Sequence, residues 1–316
     1  MRKLISIAIV LILVVICFSS CKKAATEEKS NRISIVSTIF PTYDFAKQIC
    51  ADKAEITQLL PLGSESHTYE PTPQDIITVQ NCDLFIYVGG EGDAWVEDIL
   101  HSMSVPVKTV KMMNCVDTVE EKVIEGMEAE ENETTEKEKG PELDEHVWTS
   151  PKNAAKITQA ITDAVCEIDP INKSLYQENS SAYLAELSNL DKSFTDFFAA
   201  VSNKLIIVGD RFPLRYFADE YGIKYYAAFP GCSCQTDPSA ATIAFLIDKV
   251  KTEKVKTVFY MEFSNHLVAD SIAEATGTKT AALSAAHNVT ATDLAAGVTY
   301  ISLMEKNLAV LKEAMK

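Results

Sequence analysis

The chain has 316 residues, with 45 acidic against 29 basic side chains and a formal net charge of -16. That balance excludes nucleic acid as a partner, because phosphate binding needs clustered Lys and Arg, and it suits a cationic ligand. Beyond an amino-terminal leader, roughly 290 residues remain, enough for two lobes.

Met1 to Lys3 is basic, and the apolar core from Leu4 to Phe18 is shorter than the roughly 20 residues of a membrane-spanning helix. Residues 1–20 therefore read as a secretory signal. Ser19 and Ser20 precede Cys21, and FSSC resembles a bacterial lipobox. That resemblance implies cleavage before Cys21, lipid attachment to Cys21 and loss of Cys17. Residues 21–31, rich in Lys, Ala and Glu, then form a tether to the outer face of the membrane. Six further cysteines remain, which permits disulfides in an exported protein without fixing their pairing. Cys82, just before DLFIYV, reads as a small buried thiol.

From Arg32 onward, ISIVSTI, EITQLL, DLFIYV and VPVKTV alternate with helical segments near Tyr43–Cys50, Pro73–Gln80 and Ala94–His101. The alternation predicts a parallel sheet flanked by helices, an α/β lobe over residues 32–170. Its second strand is expected at Ile56–Leu60. Thr72, Pro73 and Asp75 supply the N-cap, first-turn proline and capping-box carboxylate of the helix that follows. His67 lies on the short loop between them, beyond the carboxyl end of a strand, where open α/β sheets bind ligands.

Asp117–Glu145 carries thirteen acidic residues against three lysines and few apolar ones after Ile124. It reads as a disordered acidic loop that either solubilises the chain or gathers cations beside a cleft. His146 closes it in DEHVWTSP, ahead of a helix signalled by Ser150 and Pro151. Asn172–Val201 follows with Leu175, Tyr176, Tyr183, Leu187, Leu190, Phe194 and Phe197 at helical spacing and no Pro or Gly. One stiff helix of about 45 Å, within residues 171–203, is expected to join two lobes with the cleft between them.

The second lobe, residues 204–316, repeats the pattern with KLIIV, KYYAAF, VKTVFYM and KTAAL. Its helices are expected near Pro213–Tyr221, Ser239–Lys251 and Ala269–Thr276, with a last one ending near Lys316. Of the five histidines, His67, His146 and His287 sit on loops from which a ligand can project, the last in LSAAHNVT. His101 falls in the last turn of a helix, where it suits the macrodipole. His266 follows the cap-like Ser264 at the surface. The loop FPGCSCQTD adds Cys232 or Cys234 as thiolate donors, against the plainer reading of a turn or disulfide.

HTYEPTPQD with His67, the acidic insertion before EHVWTSP with His146, RYFADEYGI, and AGVTYISLMEKNLAVLKEAM together give the chain a family resemblance from about Ile33 to Ala314. It resembles the metal-binding solute-binding lipoproteins of bacterial ABC transporters, the zinc and manganese receptors also described as adhesins. The resemblance implies two α/β lobes joined by one rigid helix, with a metal held between them by side chains of both. It also implies delivery of that metal to a membrane permease, and the chain is read as a monomeric, non-enzymatic receptor. In two places the chain departs from the family. Where members usually carry a third histidine before the YF of the second lobe's first helix, VGDRFPLRYFADEYGI places Arg211, which is always protonated and cannot ligate metal. Asp210, ending the strand KLIIV, is the nearest oxygen donor and is expected to complete the site, with Arg211 hydrogen-bonding a ligand carboxylate. His287 stands near where the family uses an aspartate.

The expected metal ligands are thus His67, His146, His287 and Asp210, with Cys232 or Cys234 as the alternative to Asp210. Imidazoles favour zinc, while a carboxylate leaves manganese as the alternative cargo. A metal-dependent hydrolase would need an open coordination position and a base such as Glu262, and no HExxH motif is present. A surface adhesion protein is a third class, whose partner binding would survive chelation.

Overall fold

The computed structural model describes residues 32–67, 69–128, 142–233 and 237–315. Cys21, the leader and the tether therefore lie outside the described residues, as do Cys234 and 129–141. Strands β1 (Ile33–Ser37), β2 (Ala54–Gln58), β3 (Leu84–Tyr87) and β4 (Lys108–Lys111) pair in parallel in the order β2-β1-β3-β4. Strands β5 (Leu205–Phe212), β6 (Lys224–Pro230), β7 (Thr257–Met261) and β8 (Lys279–Leu283) repeat that wiring as β6-β5-β7-β8. Parallel neighbours need crossovers. In the first lobe these run through α1 (Phe40–Cys50), α2 (Pro73–Gln80) and α3 (Ala94–Ser102). After α4 (Pro151–Ile168) and α5 (Lys173–Ala200), the second lobe uses α6 (Arg215–Tyr221), α7 (Ala240–Thr252) and α8 (Leu267–Thr276), then α9 (Ala291–Ala295) and α10 (Tyr300–Ala314). In both sheets the order reverses beside the first strand, which opens a crevice at the carboxyl ends.

The second strand starts two residues before its expected place and alternates between buried and exposed, as an edge strand packed on one face must. Leu59 and Leu60 lie past its end but still donate backbone N–H groups to Ser37 and Thr38, at 2.8 and 3.0 Å. Their side chains are buried. The predicted capping box is formed: Thr72 accepts from the Asp75 N–H while Asp75 reaches back to the Thr72 N–H, an arrangement that stabilises a helix start by about 1 kcal/mol.

The 28 residues of α5 give a rod of about 42 Å. Its buried stripe runs Tyr176, Ser180, Tyr183, Leu187, Leu190, Phe194, Phe198. The steps of three and four end on Phe198, and Phe197 is only half-buried. The rod packs on α1 and α4 in the first lobe and on α6 and α10 in the second, with Phe194 edge-on to Phe217 at 4.8 Å. The last helix returns to the first lobe. Tyr300 is fully buried edge-on to Phe45 at 5.1 Å, its N–H donates to Asp44 at 2.8 Å, and its hydroxyl donates to the Trp148 carbonyl at 2.7 Å. Ile33–Lys316 consequently forms one compact unit. Among the described residues no helix is long and apolar enough to cross a membrane.

The expected disorder of the acidic segment does not hold for its described ends. Glu120 and Leu143 form an antiparallel bridge, and the Glu128 N–H donates to the Ala228 carbonyl at 3.1 Å. The Glu128 carboxylate accepts from the Ser239 N–H and the Thr242 hydroxyl at the start of α7, while Glu125 pairs with Lys249 at 3.2 Å. A helix N-terminus and a lysine supply the positive field that lets carboxylates settle there.

Candidate metal site

The site's side chains arrive on loops at the carboxyl ends of strands from both lobes. The loop leading to His67 is fixed to the loop carrying His287. Asn288 donates to the carbonyls of Pro61 and Ser64, each at 2.8 Å, and accepts from Gln58 at 3.0 Å, while the Gly63 N–H donates to Val289 at 2.9 Å. From the other side, the Phe40 N–H donates to the His287 carbonyl at 3.1 Å.

Each of the three loop histidines has its Nδ1 against a carboxylate. His67 Nδ1 lies 3.3 Å from Glu145 Oε1, His146 Nδ1 lies 3.1 Å from Asp144 Oδ1, and His287 Nδ1 lies 3.2 Å from Glu262 Oε1. Those carboxylates are held in turn. Glu145 Oε2 accepts from the Gly92 N–H at 3.2 Å, Asp144 Oδ1 also accepts from the His146 N–H at 2.9 Å, and Glu262 accepts from the Ser284 hydroxyl and the Ala285 N–H at 3.1 and 2.8 Å. Gly90 makes room for this, since a Cβ there would meet Glu145 Oε2 at 2.0 Å. A carboxylate on Nδ1 orients the ring and leaves Nε2 to a metal.

The ligand atoms of His67, His146 and Glu145 gather within 4.8 Å of one another, a cluster that does not include His287. The Nε2 atoms of His67 and His146 are 3.3 Å apart, and two nitrogens at about 2.0–2.1 Å from a tetrahedral zinc lie about 3.3 Å from each other. Among the described residues, His287 Nε2 is buried without a hydrogen-bond partner, 3.6 Å from Glu65 Oε1. All three rings line one cavity with Glu65 and Arg211. Burial holds the His67 pKa below its ordinary value. Burial also pulls on His146, but the hydrogen bond to Asp144 and the charges of Asp144, Glu145 and Glu121 outweigh it and raise that pKa. Glu65 is half-buried, and although its desolvation works the other way, interactions with His287, Arg211 and His67, including the hydrogen bond from Arg211, hold its pKa low.

Asp210 does not join this group. Its carboxylate accepts from the backbone N–H groups of Arg211 and Met261 at 2.8 and 3.3 Å, and it does not line the cavity. Neighbouring strand residues face opposite sides, and the irregularity in the β5–β6 pairing between Val208 and Arg211 leaves Arg211 as the one that faces inward. Arg211 donates to Glu65 Oε2 at 2.6 Å and to the Ser233 carbonyl at 3.2 Å. Cys232 is grouped with Glu121 and Glu142, apart from the histidines, and burial followed by the nearby carboxylates drives its thiol pKa far up. Glu262 is no free base, since its oxygens serve His287, Ser284 and Ala285. His101 lies in the last turn of α3, and exposed His266 pairs with Asp270 at 2.7 Å.

The sequence reading overlooked Glu65, Asp144 and Glu145. The available signal was adjacency, since Glu65 stands two residues before His67, and Asp144 and Glu145 directly precede His146.

The family described as ZnuA, zinc-uptake complex component A, periplasmic, matches residues 35–314. The chain is 34% identical over 313 residues to the high-affinity zinc uptake system protein ZnuA of Bacillus subtilis (strain 168), covering 98% of this chain and 96% of that one. It is 32% identical over 290 residues to the zinc-binding lipoprotein AdcA of Streptococcus pneumoniae (strain ATCC BAA-255 / R6), spanning 56% of that protein's length. Among solved structures, the Zn(II)-bound ZnuA-like domain of Streptococcus pneumoniae AdcA matches with a TM-score of 0.74 at 30% identity, covering 90% of this chain and 99% of that one. The metal-dependent lipoprotein YcdH of Bacillus subtilis matches with a TM-score of 0.75 at 32% identity and the same coverage. Both lobes, the joining helix and the cleft between them fall within the matched span, and the chain belongs to the family of periplasmic zinc-uptake complex A components.

Proposed function

We propose that this protein is an extracytoplasmic, non-enzymatic receptor that takes up one zinc ion through the Nε2 atoms of His67, His146 and His287 and passes it to an ABC permease. Residues 32–170 and 204–316 act as the two lobes on the strut 171–203, and lipid on Cys21 keeps the monomer at the membrane. The observation that carries the reading is the shared pattern of the three rings, each with Nδ1 on a carboxylate and Nε2 turned to one cavity. An imidazole-rich set suits zinc better than manganese, which prefers oxygen donors. The zinc-uptake names of the relatives support the cargo and the transporter partner.

Stripping the protein with chelator and titrating it with zinc tests this. The expected result is one tight ion per chain, with affinity lost stepwise in His67→Ala, His146→Ala and His287→Ala. Wild-type affinity in all three variants would reject the site.

A further inference from the structure

Three imidazoles leave one tetrahedral position open, and most nearby carboxylates are already committed. Asp144, Glu145 and Glu262 lie against Nδ1 atoms, and Asp210 is held by backbone N–H groups. Glu65 differs. Its Oε1 is 3.6 Å from the unpartnered His287 Nε2, close to the about 3.4 Å that separates neighbouring nitrogen and oxygen ligands on tetrahedral zinc. Its Oε2 takes a 2.6 Å hydrogen bond from Arg211, whose other arm is fixed on the Ser233 carbonyl at 3.2 Å.

We propose that Arg211 is a positioning residue that holds Glu65 to a single coordinating oxygen, so that the fourth ligand is monodentate and the site selects zinc over manganese. The inference rests on the zinc site proposed above. A charge-assisted bond of this length is strong, and the Arg211 and Glu65 side chains are only 16% and 26% exposed. Chelation by both oxygens would break the bond and leave a guanidinium arm unpaired in a half-buried cleft, which is costly. Zinc accepts the four-coordinate set of three nitrogens and one oxygen, whereas manganese prefers six oxygen-rich positions. The arginine standing where relatives would place a ligand thus acts through its neighbour: it removes one donor atom and directs another.

The test uses the whole chain with Arg211→Met, Arg211→Lys and Glu65→Gln. Zinc and manganese affinities are measured by chelator competition, and the cobalt(II)-loaded proteins by visible absorption. Wild type should show the intense bands of four-coordinate cobalt. In Arg211→Met, zinc affinity should fall about 10–100-fold, the effect of removing a residue that orients a ligand. Manganese affinity should hold or rise, narrowing the ratio, and the cobalt bands should weaken as the coordination number increases. Arg211→Lys should recover part of each, and Glu65→Gln, which keeps Arg211 in place, should weaken zinc. Unchanged cobalt intensity and an unchanged zinc-to-manganese ratio in Arg211→Met would overturn the positioning role, and wild-type zinc affinity in Glu65→Gln would overturn the ligand. Either result could occur while the histidine variants still lose zinc, so the proposal can fail with the zinc site standing.

Discussion

Asp144 offers a quantitative test of how the rings are prepared. One oxygen, Oδ1, accepts both the His146 backbone N–H at 2.9 Å and its ring Nδ1–H at 3.1 Å, in a position only 1% exposed. Asp144→Asn keeps an oxygen able to serve both donors but removes the charge that strengthens the ring's hold on a metal. Asp144→Ala removes both bonds. Loss of a carboxylate behind a metal-ligating histidine costs about 10–100-fold in affinity, so we expect about tenfold for Asn and about a hundredfold for Ala. Tenfold corresponds to about 1.4 kcal/mol. At a fixed excess of zinc, the hundredfold loss should remove about 2.7 kcal/mol of ligand-linked stability, or about 5 °C of the zinc-induced rise in Tm. Competition titration gives the affinities, and melting curves with and without zinc give the shift. Wild-type affinity in Asp144→Ala, with the metal-free protein folded, would refute the idea that this carboxylate readies His146.

Zinc ligation needs neutral imidazoles; burial lowers the His67 pKa, whereas Asp144 and neighbouring charges raise that of His146 against the pull of burial. Binding should therefore release protons and weaken as pH falls through the histidine range near about 6.5; calorimetry in buffers of different ionisation enthalpy measures it, and no buffer dependence at pH 6.5 would count against the assignment. Burial, with the charge of Glu145 adding to it, raises the Asp93 pKa to about 7. A carboxyl group whose folded pKa lies above its unfolded value stabilises the protein at low pH, and that contribution is lost as pH rises through about 7, so Asp93→Asn should gain stability relative to wild type between pH 5 and about 8 in denaturant titrations. A gain that is flat with pH would contradict this. Cys21→Ala should abolish fatty-acid labelling and release the protein from the membrane fraction, and retained labelling would rule out the anchor.

The strands and helices were legible because their residues repeat at regular intervals, and the loops of His67, His146 and His287 follow from where those elements stop. The carboxylates behind the rings were legible only for Asp144, which stands two residues before the ring it holds; with 45 acidic residues in the chain nothing ties Glu145 to His67 or Glu262 to His287. Asp210 was chosen as the oxygen donor at the strand end beside an arginine that cannot ligate metal. The irregular pairing between Val208 and Arg211 is a tertiary feature that the run KLIIVGDRF does not announce. The acidic segment misled for a similar reason. A run of like charge predicts repulsion only while its partners are unknown, and the groups that receive Glu128 and Glu125 stand 111 to 124 residues further along.

The return of the last helix to the first lobe affects how the molecule can be assembled. The pocket between Phe45 and Trp148 is filled by Tyr300, which also satisfies buried Asp44. A chain threaded out of the cell from its amino terminus would carry an unfinished first lobe until nearly every residue had crossed. Neither lobe is then a free-standing folding unit, and a nascent chain halted before Tyr300 would expose apolar surface to aggregation and proteolysis. Secretion of the whole chain becomes a precondition for the first half to complete its core.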